Sequence, residues 1–346
     1  GRAPARRPAA RRGERLRRAP RRAALRALLG SAAAALALGR RAAHAAEGYP
    51  TKPLRLIVPY APGTATDLLA RQLAPKLGDL LGQPLVIENR AGAGGIVGAQ
   101  AVARATPDGY TLGFAGSQTH AINVSLYRNL PYNPVTDFAP IARIASQPMV
   151  LVVHPDVPAR SVAELVALAR ARPGQLNFAS TGSGTSAHLS GETLRTQARI
   201  DIVHVPYASS GQVFAELLAG RTQLMFYPYQ PLKPHIDTGR LVPLATTGET
   251  RPAWLPNLPT MIEAGYPNFV VIPWFALFAP AGTPTTVAEA LSEASRRALA
   301  DPEIRAALAA SGTEPYFAGP ADLAAFTNSE IERYREVIAA SGARVD

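Results

Sequence analysis

Two turns in this chain concentrate small and hydroxyl-bearing residues where donors for an anion would be useful. The first reads Pro59-Tyr60-Ala61-Pro62-Gly63-Thr64-Ala65-Thr66-Asp67, and the second reads Ser180-Thr181-Gly182-Ser183-Gly184-Thr185-Ser186-Ala187-His188. Each follows a short apolar run and precedes a helical pattern. A helix start leaves backbone N–H groups unpaired at the positive end of the helix dipole, so small neighbours leave room for an anionic guest. In the first turn Pro62 and Gly63 enforce the reversal. Thr64, Ala65 and Thr66 then offer N–H groups and two hydroxyls. Asp67 is read instead as a first-turn residue offsetting the dipole, because a carboxylate would repel an anion. The second turn offers Thr181, Ser183, Thr185 and Ser186. Taken singly, each turn also fits a capped helix that binds nothing. Two of them, far apart in sequence, suggest two lobes closing on one acidic small molecule.

Other turns extend this set. Gly116-Ser117-Gln118-Thr119-His120 follows an apolar run, and ligands of open α/β sheets bind at the carboxyl ends of strands. Ser117 and Thr119 are its neutral donors. His120 is a candidate for a ligand carboxylate, with a capping or surface role weighed equally. Gly92-Ala93-Gly94-Gly95 resembles a dinucleotide loop but fails Gly-x-Gly-x-x-Gly, because Val97 stands at the sixth position; no acidic residue follows at the expected distance. Close approach of its backbone, Gly94 and Gly95 included, to a pocket wall is the better reading. Tyr60, Tyr207 and Tyr227 follow strands and offer an apolar ring with a polar tip. Trp274, in an apolar run, reads as core.

Enzymatic constellations are incomplete. Gly182-Ser183-Gly184 resembles a nucleophile elbow, but Thr181 and Thr185 occupy the glycine positions of Gly-x-Ser-x-Gly. His188 and Glu192 are spaced i, i+4 as a metal pair would be, with no third ligand in view. The six His, at 44, 120, 154, 188, 204 and 235, are scattered. No catalytic residue, metal or cofactor is expected.

The elements that must carry these turns alternate. Strands are expected at 54–58, 84–88, 110–115, 149–153, 177–179, 202–205 and 223–226. Helices are expected at 67–80, 96–105, 161–171, 185–197 and 211–219. Ser161 with Glu164 three residues on forms a capping box. This alternation means an α/β fold with parallel sheets. From 285 onward three helices are expected, broken at Asp301-Pro302 and Gly319-Pro320. Crossovers between lobes are placed near 143–148 and 270–280, so the first lobe is discontinuous.

The net charge of +11 belongs to the first 46 residues. They hold 13 Arg against one Glu, and removing that +12 leaves −1 for the remainder. A nucleic-acid footprint on the body is excluded on that ground. The basic stretch, a 13-residue apolar run at 27–39 and Ala43-His44-Ala45 read as a signal peptide cleaved near Ala45. Arg21-Arg22 leaves the twin-arginine route open beside the general one. The chain has no Cys, hence no disulfide, thiolate nucleophile or Cys-ligated metal.

In this order the motifs resemble a family. They are Pro59-Tyr60-Ala61-Pro62-Gly63 with Asp67, Glu88-Asn89-Arg90 with Gly92-Ala93-Gly94-Gly95, and Thr106-Pro107-Asp108-Gly109-Tyr110-Thr111. Gly182-Ser183-Gly184 with His188 and Gly191-Glu192 follow, then Pro206-Tyr207, Pro259-Thr260 with Glu263-Ala264-Gly265, and Phe278-Ala279-Pro280-Ala281-Gly282-Thr283-Pro284. From about Tyr49 onward the chain resembles the extracytoplasmic solute receptors of the tripartite tricarboxylate transporter family, also called the Bug family. The resemblance implies a periplasmic-binding-protein type II-like fold, two α/β lobes joined by two crossovers with a ligand cleft between them. It implies a carboxylate held partly by backbone N–H groups of the first lobe, and handover to the subunits of a membrane permease. The chain departs where the family usually has Gly at Thr64, a basic residue and Gly at Ala208-Ser209, and Asp at Glu216 and at Tyr227.

The expectation is therefore an exported, periplasmic, non-enzymatic receptor for a small organic carboxylate, monomeric and without nucleic acid. Its parts are a leader at 1–46, lobe one at 47–147 with 275–346, and lobe two at 148–274. The alternatives are a periplasmic sensor feeding a membrane signalling partner and, further off, an exported α/β hydrolase using Ser183.

Overall fold

The computed structural model describes Gly1 and residues 48–207, 209–269 and 271–343. Apart from Gly1, the expected leader and its cleavage site lie outside the described residues. The body beginning at Pro50 forms one unit by itself.

The chain first builds β1 (Leu54–Val58), α1 (Ala65–Leu81), β2 (Leu85–Asn89), α2 (Ile96–Ala103), β3 (Thr111–Gly116), α3 (Asn123–Leu126) and β4 (Phe138–Ser146). A π-helical turn, Gln118–Ile122, leads into α3. The chain then runs through β5 (Met149–Val153), α4 (Val162–Ala171), β6 (Leu176–Ser180), α5 (Ser186–Ala198), β7 (Ile202–Pro206), α6 (Ser210–Leu218), β8 (Leu224–Pro228), α7 (Tyr229–Asp237) and β9 (Val242–Thr246). It ends with β10 (Trp274–Pro280), α8 (Thr285–Ala300), α9 (Pro302–Ala310), β11 (Glu314–Ala318) and α10 (Pro320–Ser341).

Local chemistry sets several of these boundaries. Ser161 accepts the Glu164 N–H at 3.2 Å, while Glu164 Oε2 accepts the N–H of Arg160 at 2.6 Å. The box therefore reaches one residue further upstream than its simplest form. Asp301 caps α9 by accepting from Glu303 and Ile304, with Pro302 in the first turn where its missing N–H costs nothing.

Two sheets result, in orders β11-β4-β10-β3-β1-β2 and β7-β6-β8-β5-β9. They are mixed rather than parallel. β1 runs parallel to β2 and β3, and β6 parallel to β7 and β8. β10 is antiparallel to β3 and β4, β11 to β4, and β5 to β8 and β9. The antiparallel members are the strands by which the chain enters or leaves a sheet: β4 passes directly to β5 through Gln147-Pro148, and β10 is the return. β11 stands between α9 and α10, where helices alone were expected. Its Pro315 and half-exposed Tyr316 and Phe317 lack the buried apolar run that marks an inner strand. The crossings touch, Gln147 N–H donating to Pro273 O at 2.8 Å.

Both sheets are buried among helices. Leu54, Leu56, Ile57 and Val58 of β1 and all five residues of β5 are at most 1 % exposed. Among the described residues no helix is long and apolar enough to cross a membrane.

Candidate functional site

A cleft of about 260 Å³ opens where the carboxyl ends of β1, β3, β6 and β8 meet the start of β10. From the first sheet come Tyr60, Thr64, Ala65 and Thr66 after β1, and Gly116, Ser117 and Gln118 after β3. From the second come Met149, Thr181, Thr185, Ser186, Ala187, Tyr227 and Pro228. The crossings supply Gln147, Pro273, Trp274 and Phe275. No side chain in this set carries a formal charge.

The first wall is a helix start held open. Thr64 occupies the N-cap position of α1 without a side-chain cap, since its hydroxyl donates to Ala61 O at 2.9 Å. The first N–H groups of α1 are therefore left for a guest. Behind them Asp67, 1 % exposed, accepts from Gly63 N–H at 2.9 Å, Arg71 Nε at 2.9 Å and Asn89 Nδ2 at 2.8 Å. Asn89 Nδ2 also reaches Tyr60 O at 3.0 Å. Burial alone would raise the Asp67 pKa, but the bonds from Arg71, Gly63 and Asn89 and the Arg71 charge hold it below its usual value. Asp67 thus fixes the shape of the turn from behind and adds no charge to the lining.

Two hydroxyls in this wall have no protein partner. Thr66 is 8 % and Ser117 5 % exposed, both line the cleft, and neither hydroxyl has a partner among the described residues. Neither oxygen is among the side-chain atoms sealed from solvent, so both hydroxyls open on the cleft and can donate to a guest. Burial, and secondarily Tyr132, push the Tyr60 phenol well above its usual pKa, so it stays a neutral donor.

The opposite wall is the start of α5. Thr185 caps that helix, accepting the His188 N–H at 3.4 Å and donating to Gly182 O at 2.8 Å. Its hydroxyl is spent, leaving Thr181 and Ser186 as the free hydroxyls of this side. Tyr227, held edge-on to Phe214 with ring centroids 5.2 Å apart, and Pro228 form the far end. Trp274 closes the back, anchored by its Nε1–H to Glu330 Oε2 at 2.9 Å.

Of the expected residues, the structure brings Tyr60, Thr64, Ala65, Thr66, Ser117, Thr181, Thr185, Ser186 and Tyr227 to the cleft, and places five elsewhere. Gly95, at φ +89°, lies behind the wall: a Cβ on it would sit 2.7 Å from Thr119 Cγ2 and 3.2 Å from the Tyr60 hydroxyl. Gly94 O accepts from Asn123 Nδ2 at 3.1 Å. Thr119 is fully buried, its hydroxyl against His120 Nδ1 at 2.9 Å and Gly116 O at 3.3 Å. Ser183 is exposed. Tyr207 packs against the core cluster that contains Val213 and Leu217, with its N–H on Ser180 O at 3.0 Å. His120 is a core residue, stacked 3.8 Å from Phe278 and pushed down to about 3 by burial.

Sequence reasoning passed over Gln118, Gln147, Met149, Pro228, Pro273, Trp274 and Phe275 as lining. Gln147 and Pro273 carried one usable signal, their place at the expected crossovers. Trp274 is both core and wall, 1 % exposed yet presenting a face to the cleft. Among the described residues Ser183 bonds no imidazole, and no group of three metal-binding side chains comes together.

Comparison with known proteins places this arrangement. Residues 69–343 match the family model described as "Tripartite tricarboxylate transporter family receptor". Protein BugT of Bordetella pertussis is 39 % identical over 303 residues, covering 87 % of this chain and 92 % of that protein. R. palustris Rpa4515 with adipate superposes with a TM-score of 0.77 at 36 % identity, covering 86 % of this chain and 99 % of that one. MatC from Rhodopseudomonas palustris with bound malate superposes at 0.71 and 31 % identity, covering 84 % and 100 %. The fold is that of two α/β lobes joined by two crossovers, and such proteins are solute-binding receptors rather than enzymes. The chain belongs to the tripartite tricarboxylate transporter receptor family.

Proposed function

We propose that this chain is an extracytoplasmic receptor that captures a small organic carboxylate in the cleft and delivers it to a membrane permease. The carrying observation is the first wall, an uncapped helix start flanked by two hydroxyls that open on the cleft without protein partners, in a lining that has no charge. A carboxylate leaving water needs its oxygens satisfied. The N–H groups of Ala65 and Thr66 and the hydroxyls of Thr66, Ser117 and Tyr60 are placed to satisfy one. Thr181 and Ser186 approach from the second wall, and Tyr227 shapes the far end. Relatives whose structures hold adipate and malate support the ligand class.

The lobes are taken as 47–147 with 275–346 and as 148–274; the division of strands between the two sheets supports this, with β10 returning to the first sheet from Trp274. The leader directs export to the periplasm and is cleaved near Ala45, and the mature protein acts as a monomer. Delivery to a permease follows the family's role. Isothermal titration of the mature protein with di- and tricarboxylates, aromatic acids and amino acids tests the reading. Binding of one carboxylate class supports it, and silence across the panel refutes it. Uptake of that acid by cells with and without the gene then tests delivery.

A further inference from the structure

Gln118 lines the cleft beside Ser117, at the start of the π-helical turn, and its amide is held in one orientation from behind. The carbonyl of Gly94 can only accept a hydrogen bond, so Asn123 must turn Nδ2 to it, at 3.1 Å. That leaves Asn123 Oδ1 toward Gln118, which can meet an oxygen only with Nε2, at 2.8 Å. Asn123 is fully buried, and the turn itself is held by the Tyr132 hydroxyl donating to Thr119 O at 2.8 Å. A backbone carbonyl thus dictates, through two amides, which atom of Gln118 is left over. It is Oε1. That oxygen bonds no protein group among the described residues, and it is not among the side-chain atoms sealed from solvent. Gln147, the other amide of the lining, meets the Thr313 hydroxyl at 3.4 Å. A hydroxyl can give or take a proton, so Gln147 is under no such constraint.

We propose that Gln118 is a specificity-determining residue and that the ligand is a hydroxy acid, its hydroxyl on the carbon next to the carboxylate and donating to Gln118 Oε1. This rests on the carboxylate-receptor reading. The other polar side chains of the lining, Gln147 apart, are hydroxyls, which can turn to donate to a carboxylate. An amide oxygen only accepts, so beside a carboxylate it repels unless a donor comes with the guest. Ser117 and Gln118 are consecutive and present a donor and an acceptor side by side. A carboxylate flanked by a hydroxyl is the complement, an acceptor next to a donor. An ammonium on the same carbon would also donate, but its charge would need a carboxylate, and the lining has none. Asn123 is a positioning residue: it stands outside the lining and fixes which face Gln118 shows.

The test is isothermal titration of the mature protein with pairs of acids that differ by that hydroxyl alone: malate and succinate, lactate and propionate, mandelate and phenylacetate. Both enantiomers of each hydroxy acid are used. In any pair that binds, the hydroxy member should bind about tenfold more tightly, the worth of a neutral hydrogen bond. Gln118→Met keeps the length of the side chain and removes the acceptor. It should weaken the hydroxy acid more than its parent and draw the two affinities together. Asn123→Leu frees the Gln118 amide to turn over and should lose the same discrimination, whereas a merely structural role would weaken both members alike. Equal affinities within the binding pairs, or binding confined to acids without such a hydroxyl, overturn the proposal and leave the carboxylate reading standing. A hydroxyl preference that survives Gln118→Met unchanged overturns it too, because the hydroxyl is then read elsewhere. Silence across all carboxylic acids refutes the carboxylate reading itself, and the proposal with it.

Discussion

The indole N–H of Trp274 donates to Glu330 at 2.9 Å while the same ring walls the cleft, so one side chain joins the ligand face to α10. Glu330 is 2 % exposed and also pairs with Arg333. Glu330→Gln keeps the shape but weakens a charge-assisted bond and leaves Arg333 without its partner. The expected cost is about 1.5–3 kcal/mol, read as a lower urea midpoint. Trp254 is the chain's other Trp. In a Trp254→Phe background, ligand binding should change the remaining emission, and an unchanged spectrum at saturation would place the ligand away from Trp274.

Ser117→Ala and Thr66→Val should separate stability from affinity. Each hydroxyl opens on the cleft and bonds no protein group, so its removal leaves the ligand-free protein about as stable. Each donates to a carboxylate in the bound state, so affinity should fall by about tenfold or more, the worth of a hydrogen bond to a charged group. Thermal unfolding without ligand and titration with it give the two signs. A fall in stability with unchanged affinity would make these residues structural.

Asp67 sets an acid limit. Its folded-state carboxyl titrates below its ordinary value, held down by Arg71, Gly63 and Asn89. The stabilisation is therefore fully present above the unfolded-state pKa and is lost as pH falls through the lower folded value. Urea midpoints from about pH 6 to 2 should drop across that acid window in the native protein and less steeply in Asp67→Asn. The variant should also bind more weakly, because Gly63 and Asn89 lose their anchor.

An uncharged lining discriminates against amines. An ammonium entering the cleft meets no carboxylate and would be buried unpaired. Succinate should therefore bind at least about a hundredfold more tightly than aspartate. Tyr227→Asp should narrow the gap, and equal affinities in the native protein would show that solvent reaches the far end.

Gly95→Ala tests the wall from behind. A Cβ there strikes Thr119 and the Tyr60 hydroxyl from a backbone at φ +89°, which side chains rarely adopt. Tyr60 would be displaced into the cleft. A loss of affinity exceeding the loss of stability, compared by titration and unfolding, is the expected outcome.

Legibility in the sequence followed the local signals. β1, β5 and α4 are bounded by dense apolar runs or a cap, and their residues declare them. β4 reads Phe-Ala-Pro-Ile-Ala-Arg-Ile-Ala-Ser, with Pro140 and Arg143 interrupting the apolar pattern. β10 hides in a longer apolar stretch whose direction of pairing no periodicity reveals. The turns at 59–67 and 180–188 stand out because glycine, proline and hydroxyls mark a strand–helix junction. Which of their side chains reach the cleft is settled by hydrogen bonds at a distance: Thr185 is consumed by its own cap, and Ser183 points outward. Gln147 and Trp274 carry no local mark, because their place at the cleft depends on two segments more than 120 residues apart meeting at the crossings.

The bond from Gln147 to Pro273 joins those crossings into a two-stranded ribbon. Separate tethers would let the lobes twist and slide as well as approach. Crossings tied in this way resist shear along their length and favour bending about one transverse axis. Any closing of the lobes on a guest would then follow one angular coordinate.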